Sequence, residues 1–213
     1  MAAALVCAAL DWGAVEAGNK RREYVLKPLT TGLLVVAAVV LREAVEPSRW
    51  GPTVAALVLS LLGDVFLMLR RERFAAGLWC FLFAHLAYVL AFDTLRADVP
   101  TAVAGAVVLL AGSVLYGRLR RGMLAREQGE FAVPVAVYNL AIGAMLVSAL
   151  VTPFRPEWDG LHTAFAIVGA VLFMLSDSLI GWTRFVRSFP RSEVAIMVTY
   201  HLAQVLLLLA LLG

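Results

Sequence analysis

Two aspartates in strongly apolar surroundings are the residues of this sequence best suited to chemistry. Asp64 interrupts the run from Leu59 to Leu69, and Asp177 interrupts the run from Leu172 to Ile180. An ionisable side chain at membrane depth is costly, so it normally faces a bundle interior or an aqueous cavity and marks a working site. Two carboxyls that face each other in a low-dielectric pocket do not both ionise readily. If the fold brings them together, the pair should keep one proton, leaving the acid and the carboxylate that suit an oxocarbenium-like transition state.

The composition requires a membrane setting for these aspartates. Hydrophobic residues make up 62% of the 213 residues and charged residues 15%, with a mean hydropathy of +0.87, which excludes a water-soluble domain. A membrane-crossing helix needs about 20 apolar residues. We therefore predict an all-α membrane protein, a single domain over 1–213 formed by a bundle of eight transmembrane helices. The predicted spans are 2–17, 27–41, 52–69, 74–92, 99–116, 131–151, 160–182 and 193–212.

The distribution of basic residues predicts the orientation of the bundle. The four odd-numbered connections contain fourteen of the eighteen Lys and Arg residues. Cytoplasmic loops of membrane proteins carry such an excess. We therefore expect a multi-pass protein of the cell membrane with both termini on the non-cytoplasmic side. The fourteen residues are Lys20, Arg21, Arg22, Lys27, Arg70, Arg71, Arg73, Arg118, Arg120, Arg121, Arg126, Arg184, Arg187 and Arg191. Because they serve as topology signals, the net charge of +3 does not predict a nucleic-acid partner.

The chain also resembles itself. The segment from His85 to Leu90 matches the segment from His201 to Leu206, and Asp64 matches Asp177, at offsets of 116 and 113 residues. Two parallel four-helix repeats, 1–92 and 99–213, related by an axis along the membrane normal, would produce this pattern, as in some transporters. Chance similarity in a sequence rich in leucine and alanine is the alternative.

Further polar residues fall in the cytoplasmic halves of the predicted spans, which suggests a pocket open toward that side. Lys27 could hold an anion or only anchor its helix at the membrane surface. The histidines could be interhelical hydrogen-bond partners, and the tyrosines could be packing residues with satisfied hydroxyls. Asp11 is expected close enough to the interface to be solvated. With Asp64 and Asp177 as catalytic residues, the candidates for substrate binding are Lys27, His85, Tyr88, Tyr138, Asn139, Ser176, Tyr200, His201 and Gln204.

No metal or cofactor is predicted. Cys7 and Cys80 lie in separate spans without metal-ligand spacing, and free cysteine usually behaves as a small apolar residue. The three histidines form no compact ligand motif, and His162 lies at an outer edge beside Asp159.

These motifs resemble those of the YhhN family, the integral membrane lysoplasmalogenases. The resemblance extends from the second helix to the last and rests on the order and spacing of its motifs. The matching positions are Lys27-Pro28-Leu29, Gly63-Asp64 with Leu67-Met68, His85 with Tyr88, Tyr138, Gly169 to Asp177 with Phe173 and Ser176, and Tyr200 with Gln204.

The resemblance implies hydrolysis of the vinyl ether bond of a lysoplasmalogen, a lysophospholipid, to a fatty aldehyde and a glycerophospho head group. One aspartate would donate a proton and the other would stabilise the cation and activate water. Lys27, with Tyr138 or Tyr200, would hold the phosphate. A related ether or lysolipid is an open alternative for the substrate.

Two other classes of protein use intramembrane aspartates. A proton-coupled transporter of small molecules or lipids would also use Asp64 and Asp177, but it predicts polar groups in both membrane halves. An intramembrane aspartyl protease shares Gly63-Asp64, but Leu61 stands where its motif has a glycine, and its Pro-Ala-Leu segment is missing.

Overall fold

The structure is a computed structural model that describes residues 1–69 and 73–212. It is all-helical over these residues, which confirms the predicted helical bundle. Short connections, three of which contain a single 3₁₀ turn, join eight α-helices. These are α1 (Ala2–Glu16), α2 (Lys20–Val40), α3 (Pro47–Met68), α4 (Phe74–Phe92), α5 (Val99–Ala125), α6 (Ala132–Leu150), α7 (Gly160–Phe185) and α8 (Ser192–Ala210).

Seven of the helices are long and apolar enough to cross a membrane, namely α2 to α8. At 1.5 Å per residue, the 15 residues of α1 extend about 22 Å, less than the roughly 30 Å of a hydrocarbon core. The eighth crossing therefore stays a prediction. The orientation of the bundle and the internal repeat also stay predictions.

Several helices extend beyond the predicted spans. Helix α2 begins at Lys20 because the Asn19 side chain accepts a hydrogen bond from the Arg22 N–H at 3.2 Å, which caps the helix. Pro28 lies inside α2 and not at its start as we predicted. Helix α5 continues to Ala125 and not to 116, because arginine is a good helix former and apolar character is not required beyond the membrane. Arg70 and Arg71, which entered the charge count, lie outside the described residues.

The two ends of the bundle differ in character. At one end, a groove is lined by residues from the ends of α2, α4, α7 and α8, among them Lys20, Phe74, Arg184 and Glu193. We call this the basic end, because the arginine-rich connections lie there. At the opposite end, Met1, Leu209 and Leu212 pack against a buried cluster that includes Leu34 and Ala38 of α2. We call this the terminal end.

Arg155 ties three chain segments together at the terminal end. Its guanidinium donates hydrogen bonds to the Thr94 carbonyl oxygen (2.7 Å), Asp98 Oδ2 (2.6 Å) and Thr101 Oγ1 (3.0 Å). The Thr94 hydroxyl in turn donates to the Ser148 carbonyl oxygen at 2.6 Å. Hydrogen bonding from Arg155 holds the pKa of the Asp98 carboxyl well below its usual range. This clamp fixes the ends of α4, α5 and α6 to one another.

Glycines allow close helix packing near the basic end. A Cβ atom at Gly63 would lie 2.6 Å from the ring of Phe81, so α3 approaches α4 only because that atom is missing. At Gly122 of α5, a Cβ would lie 2.1 Å from the backbone oxygen of Phe185 in α7. Small residues permit this kind of backbone approach between membrane helices.

Candidate active site

Asp64 is the centre of a buried polar network between α2, α3 and α8. Asp64 is buried, with its side chain 1% exposed. Lys27 Nζ lies 3.3 Å from Oδ1, while the hydroxyls of Thr31 and Tyr200 donate to Oδ2 at 2.8 and 2.7 Å. Three groups that favour the charged carboxylate therefore converge on Asp64. This arrangement places Lys27 inside the protein, where it does more than anchor a helix at the membrane surface.

The network continues from Asp64 toward α4. Gln204 Nε2 donates to the Tyr200 hydroxyl at 3.2 Å, and the Tyr88 hydroxyl donates to Gln204 Oε1 at 2.6 Å. Tyr88 and Gln204 are fully buried, and their hydrogen bond joins α4 to α8. We call the six residues Lys27, Thr31, Asp64, Tyr88, Tyr200 and Gln204 the Asp64 network.

A second cluster, the Asp177 network, consists of Asp177, His85 and Tyr138. The Tyr138 hydroxyl donates to Asp177 Oδ2. His85 Nε2 lies 3.1 Å from the same oxygen and 2.8 Å from the Tyr138 oxygen. Whether Nε2 donates or accepts in these two contacts depends on the tautomer of the imidazole.

The aromatic ring of Phe173 lies between the two networks. The fully buried ring of Phe173 lies 4.7 Å from the ring of His85 and 5.6 Å from the ring of Tyr200, measured between centroids, with edge-to-face geometry at both contacts. Within the described part of the chain, the hydrogen-bond and ion-pair partners of Asp64 and those of Asp177 have no residue in common. The structure thus places the two aspartates in neighbouring networks, whereas we expected one pair of carboxyls with a proton between them.

An apolar cavity lies against the Asp177 network. Its volume is about 60 Å³, well below the range of about 300–1,000 Å³ found for small-molecule sites, so a lipid chain would need the helices around it to part. Asp177, Tyr138 and Asn139 are among its few polar residues, and Asp64 is not part of its wall. The remaining lining residues come from α3 to α7 and are Leu67, Phe74, Leu78, Phe81, Leu115, Leu119, Val135, Ile142, Met174, Ser178, Ile180, Gly181 and Phe185.

The charged groove at the basic end adjoins this cavity. Leu67, Phe74 and Ile180 line both spaces, so they form a common wall. The groove carries both signs of charge, because Lys20, Lys27 and Arg184 face it together with Glu23 and Glu193. Lys20 pairs with Glu23 at 2.9 Å and with Glu193 at 2.8 Å. An apolar compartment beside a charged mouth suits a molecule with a long chain and a polar head.

Two of the expected substrate-binding residues form hydrogen bonds to other helices of the bundle. The Ser176 hydroxyl donates to the Ile196 carbonyl oxygen at 3.1 Å, which joins α7 to α8. His201 Nδ1 accepts a hydrogen bond from Trp12 Nε1 at 3.1 Å. By the predicted repeat, His201 would face Asp64 as His85 faces Asp177, but the preceding residue, Tyr200, takes that place.

Sequence reasoning missed Thr31 and misjudged Asp11. Thr31 lies four residues after Lys27 and therefore on the same face of α2, a spacing that could have identified it. Asp11 is fully buried and not solvated as we expected, because α1 packs against α2 and α8. Among the described residues, no three His, Cys, Asp or Glu side chains lie close enough together to hold a metal ion.

Comparison with known proteins gives a consistent assignment. The model of the YhhN family matches residues 22–211. The protein named lysoplasmalogenase TMEM86B of Mus musculus is 35% identical over 158 residues, which cover 73% of this chain and 61% of that protein. The lysoplasmalogenase of Mycobacterium tuberculosis (strain CDC 1551 / Oshkosh) is 33% identical over 183 residues, which cover 82% of this chain and 65% of that protein. The chain thus spans about three fifths of the length of such relatives. No solved structure matches it.

Proposed function

Since the chain belongs to the YhhN family, we propose that it is a membrane-embedded hydrolase that cleaves the vinyl ether bond of a lysoplasmalogen. Its relatives TMEM86B of Mus musculus and the protein of Mycobacterium tuberculosis carry the name lysoplasmalogenase. The observation that carries the proposal is the position of Asp177 and Tyr138 in the wall of an apolar cavity beside a charged groove. Because its relatives carry an enzyme name, the transporter alternative is not favoured.

The chemistry of a vinyl ether fits two differently held carboxyls. Hydrolysis begins when the β-carbon of the double bond takes a proton, which creates an oxocarbenium ion. Water then captures this cation, and the resulting hemiacetal collapses to an aldehyde and an alcohol. The protein must therefore supply an acid at the carbon, negative charge beside the cation and a base for the water.

We assign the proton donor to Asp177. It lines the cavity that would receive the alkenyl chain, and its partners are a phenol and an imidazole. The hydroxyl of Tyr138 and the N–H of His85 would stabilise the carboxylate that remains after the proton has moved to carbon.

Asp64 would act as the ionised partner. Lys27 lies 3.3 Å from it and two hydroxyls donate to it, which favours the carboxylate. In this state it stabilises the oxocarbenium ion and accepts the proton of the attacking water. Asp64 does not line the cavity, so for this step the ring of Phe173, which lies between His85 and Tyr200, would have to move aside to let the lipid reach Asp64.

The head group would occupy the charged groove. Lys27, the ammonium group closest to Asp64, faces the groove together with Lys20 and Arg184, and a phosphate would be attracted by these cations. By the positive-inside rule, the groove opens to the cytoplasmic half of the membrane. The alcohol product would leave on that side, while the aldehyde stays in the apolar phase.

Aldehyde release in heavy water tests the proposal. The purified protein is incubated in detergent with a lysoplasmalogen, and the aldehyde is reduced at once with borohydride so that later exchange cannot alter its label. We expect one deuterium at the carbon next to the former carbonyl, because that carbon is protonated by the enzyme. Asp177→Asn and Asp64→Asn should each lower kcat by about 10²-fold or more, the range of general acid–base catalysis.

A matched control is available at the other end of the bundle. Asp93→Asn makes the same chemical change at an exposed position whose side chain is 69% accessible, and its kcat should equal that of the wild type. A wild-type protein that releases no aldehyde refutes the proposed activity. Full activity in folded Asp177→Asn and Asp64→Asn refutes the assigned roles.

A further inference from the structure

Three arginines line an open groove on the outer surface of the bundle, between α5 and α7 at the basic end. Arg118 and Arg121 belong to α5, Arg126 follows the last residue of that helix, and Trp182 of α7 lines the same groove. The groove has a volume of about 510 Å³, within the range of about 300–1,000 Å³ found for small-molecule sites. We call it the arginine groove. The proposed mechanism uses none of these four residues.

Small residues of α5 separate the arginines and form the floor of the groove. Arg118 and Gly122 are four residues apart, as are Arg121 and Ala125, so each pair adjoins on the surface of the helix. Gly122 and Ala125 both line the groove. A Cβ atom at Gly122 would lie 2.1 Å from the backbone oxygen of Phe185, so the two helices are in close contact there. The small side chains leave room for a bulky polar group between the guanidinium groups.

The positive charge of the arginine groove has no counterion in the described part of the chain. None of the described residues that line it is acidic, and none of its three arginines forms an ion pair there. Arg126 donates from Nη2 to the Val186 carbonyl oxygen at 2.8 Å, and Arg121 donates from Nε to the Gly117 carbonyl oxygen at 3.1 Å. Both acceptors are neutral. The charged groove, by contrast, contains two carboxylates.

The helix ends account for only part of this charge. The C-terminus of a helix carries about −0.5 elementary charge, and both α5 and α7 end at the arginine groove, at Ala125 and Phe185. Together the two ends offset about one of the three positive charges, so about two remain. Guanidinium groups donate paired hydrogen bonds that match the oxygens of a phosphate. The groove therefore suits a phosphate group.

The surface next to the arginine groove suits the apolar part of a lipid. Leu110 and Val114 lie eight and four residues before Arg118, on the same face of α5, and both are exposed. Leu175 lies seven residues before Trp182, on the same face of α7, and is also exposed. Both helices are long and apolar enough to cross a membrane, and tryptophan is enriched at the level of the lipid head groups. A phosphate in the groove could thus continue into acyl chains that lie along these side chains.

We propose that the arginine groove binds the head group of an anionic phospholipid of the surrounding membrane. Basic pockets between membrane helices bind such head groups. The site differs from the proposed substrate site, because the arginine groove and the charged groove have no described lining residue in common. Phe185 lines both the arginine groove and the apolar cavity. The bound lipid would hold α5 against α7 at this wall of the cavity, whichever reaction the protein catalyses.

Stabilisation by added lipid tests the site. The purified full chain in a neutral detergent is titrated with phosphatidylglycerol, with phosphatidylcholine of the same acyl chains, or with soluble glycerol phosphate. The rise of Tm with concentration gives the apparent Kd, because a ligand that binds only the folded state stabilises it by mass action. We expect stabilisation by phosphatidylglycerol alone. Combining Arg118→Gln, Arg121→Gln and Arg126→Gln should raise the apparent Kd about 10²-fold, about fivefold for each arginine.

A matched triple variant controls for the change of charge. Arg21→Gln, Arg22→Gln and Arg73→Gln remove three exposed arginines of the basic end that do not line the arginine groove. At about 0.15 M salt, where distant charges are screened, this triple should keep the wild-type Kd within about twofold. If the first triple does not fold, Arg118→Gln alone changes an exposed side chain and should still raise the Kd about fivefold.

Each other result overturns the site. Equal stabilisation by phosphatidylglycerol and phosphatidylcholine would show that the head-group charge is not recognised. The same Kd in the two triple variants, or an unchanged Kd in folded Arg118→Gln, would show that these arginines do not bind the lipid. Stabilisation by glycerol phosphate as strong as that by the lipid would identify a soluble anion as the ligand.

Discussion

Removal of Lys27 should leave Asp64 as a buried charge without its counterion. The two side chains are 7% and 1% exposed, so water cannot replace the lost ammonium group. Breaking a buried ion pair by removing one partner typically costs about 3–5 kcal/mol. Asp64 keeps its hydrogen bonds from Thr31 and Tyr200, so we expect Lys27→Met to lie near the lower end, at about 3 kcal/mol.

This loss is large enough to measure as a shift in thermal unfolding. For a chain of this size, about 1 kcal/mol corresponds to about 2–4 °C in Tm, so Lys27→Met should unfold about 6–12 °C below wild type in detergent. The control is Lys20→Met in the same helix. Its ammonium group is 56% exposed, and the loss of exposed ion pairs should cost no more than about 1 kcal/mol.

The double variant Lys27→Met with Asp64→Asn separates charge from packing. Asparagine removes the uncompensated charge and keeps the size of the side chain, so the pair of changes should recover most of the loss. The double-mutant cycle should give a coupling free energy of about 1.5–3 kcal/mol. Additive effects, or a Lys27→Met variant as stable as Lys20→Met, would show that the two residues do not interact as the structure indicates.

Three further predictions concern packing, pH and substrate length. Gly122→Ala should cost about 1–3 kcal/mol of stability, because a backbone oxygen of α7 lies 2.1 Å from the new Cβ. The control Gly105→Ala meets no atom within 4 Å and should be neutral or stabilising. Equal Tm values for the two variants would contradict the close approach of α5 and α7. Because folding lowers the pKa of Asp98, its ionised carboxyl stabilises the folded protein at pH values above the unfolded pKa of about 3.9. This stabilisation is lost as the pH falls from that value through the pKa of the folded protein. Between pH 6 and pH 3, the Tm of the wild type should therefore fall more steeply than that of Asp98→Asn. Parallel curves of Tm against pH would disprove the hydrogen bond with Arg155. Gly181→Leu fills the apolar cavity and should raise KM for a long alkenyl chain about tenfold while sparing a short one; an unchanged chain-length preference would place the chain elsewhere.

The helical bundle could be predicted because its cause is local. Seven apolar runs are long enough to cross a membrane, and each must satisfy its own backbone hydrogen bonds as a helix. The ends were less predictable, since α5 continues to Ala125 after its apolar stretch has finished. Hydropathy indicates where the membrane-spanning part of a helix ends. It does not indicate whether arginines extend that helix into water.

The partners of the aspartates depend on contacts that no local pattern contains. The sequence indicated that Asp64 and Asp177 were unusual, but the identity of their partners depends on how α2, α4, α6 and α8 rotate against them. A rotation of α8 decides that Tyr200 and not His201 donates to Asp64. Likewise, the burial of Asp11 follows from the turn at Gly18, whose φ of +65° reverses the chain and packs α1 against α2.

The clamp at Arg155 has a mechanical consequence. Helices that are fixed to one another at the terminal end can separate only at the basic end. We therefore expect fluctuations of the bundle to widen the charged groove and the cavity while the terminal end stays closed. A lipid could then exchange with only one of the two monolayers. The protein would act only on lipids of that monolayer, and lipids in the other monolayer would have to cross the bilayer before they could react.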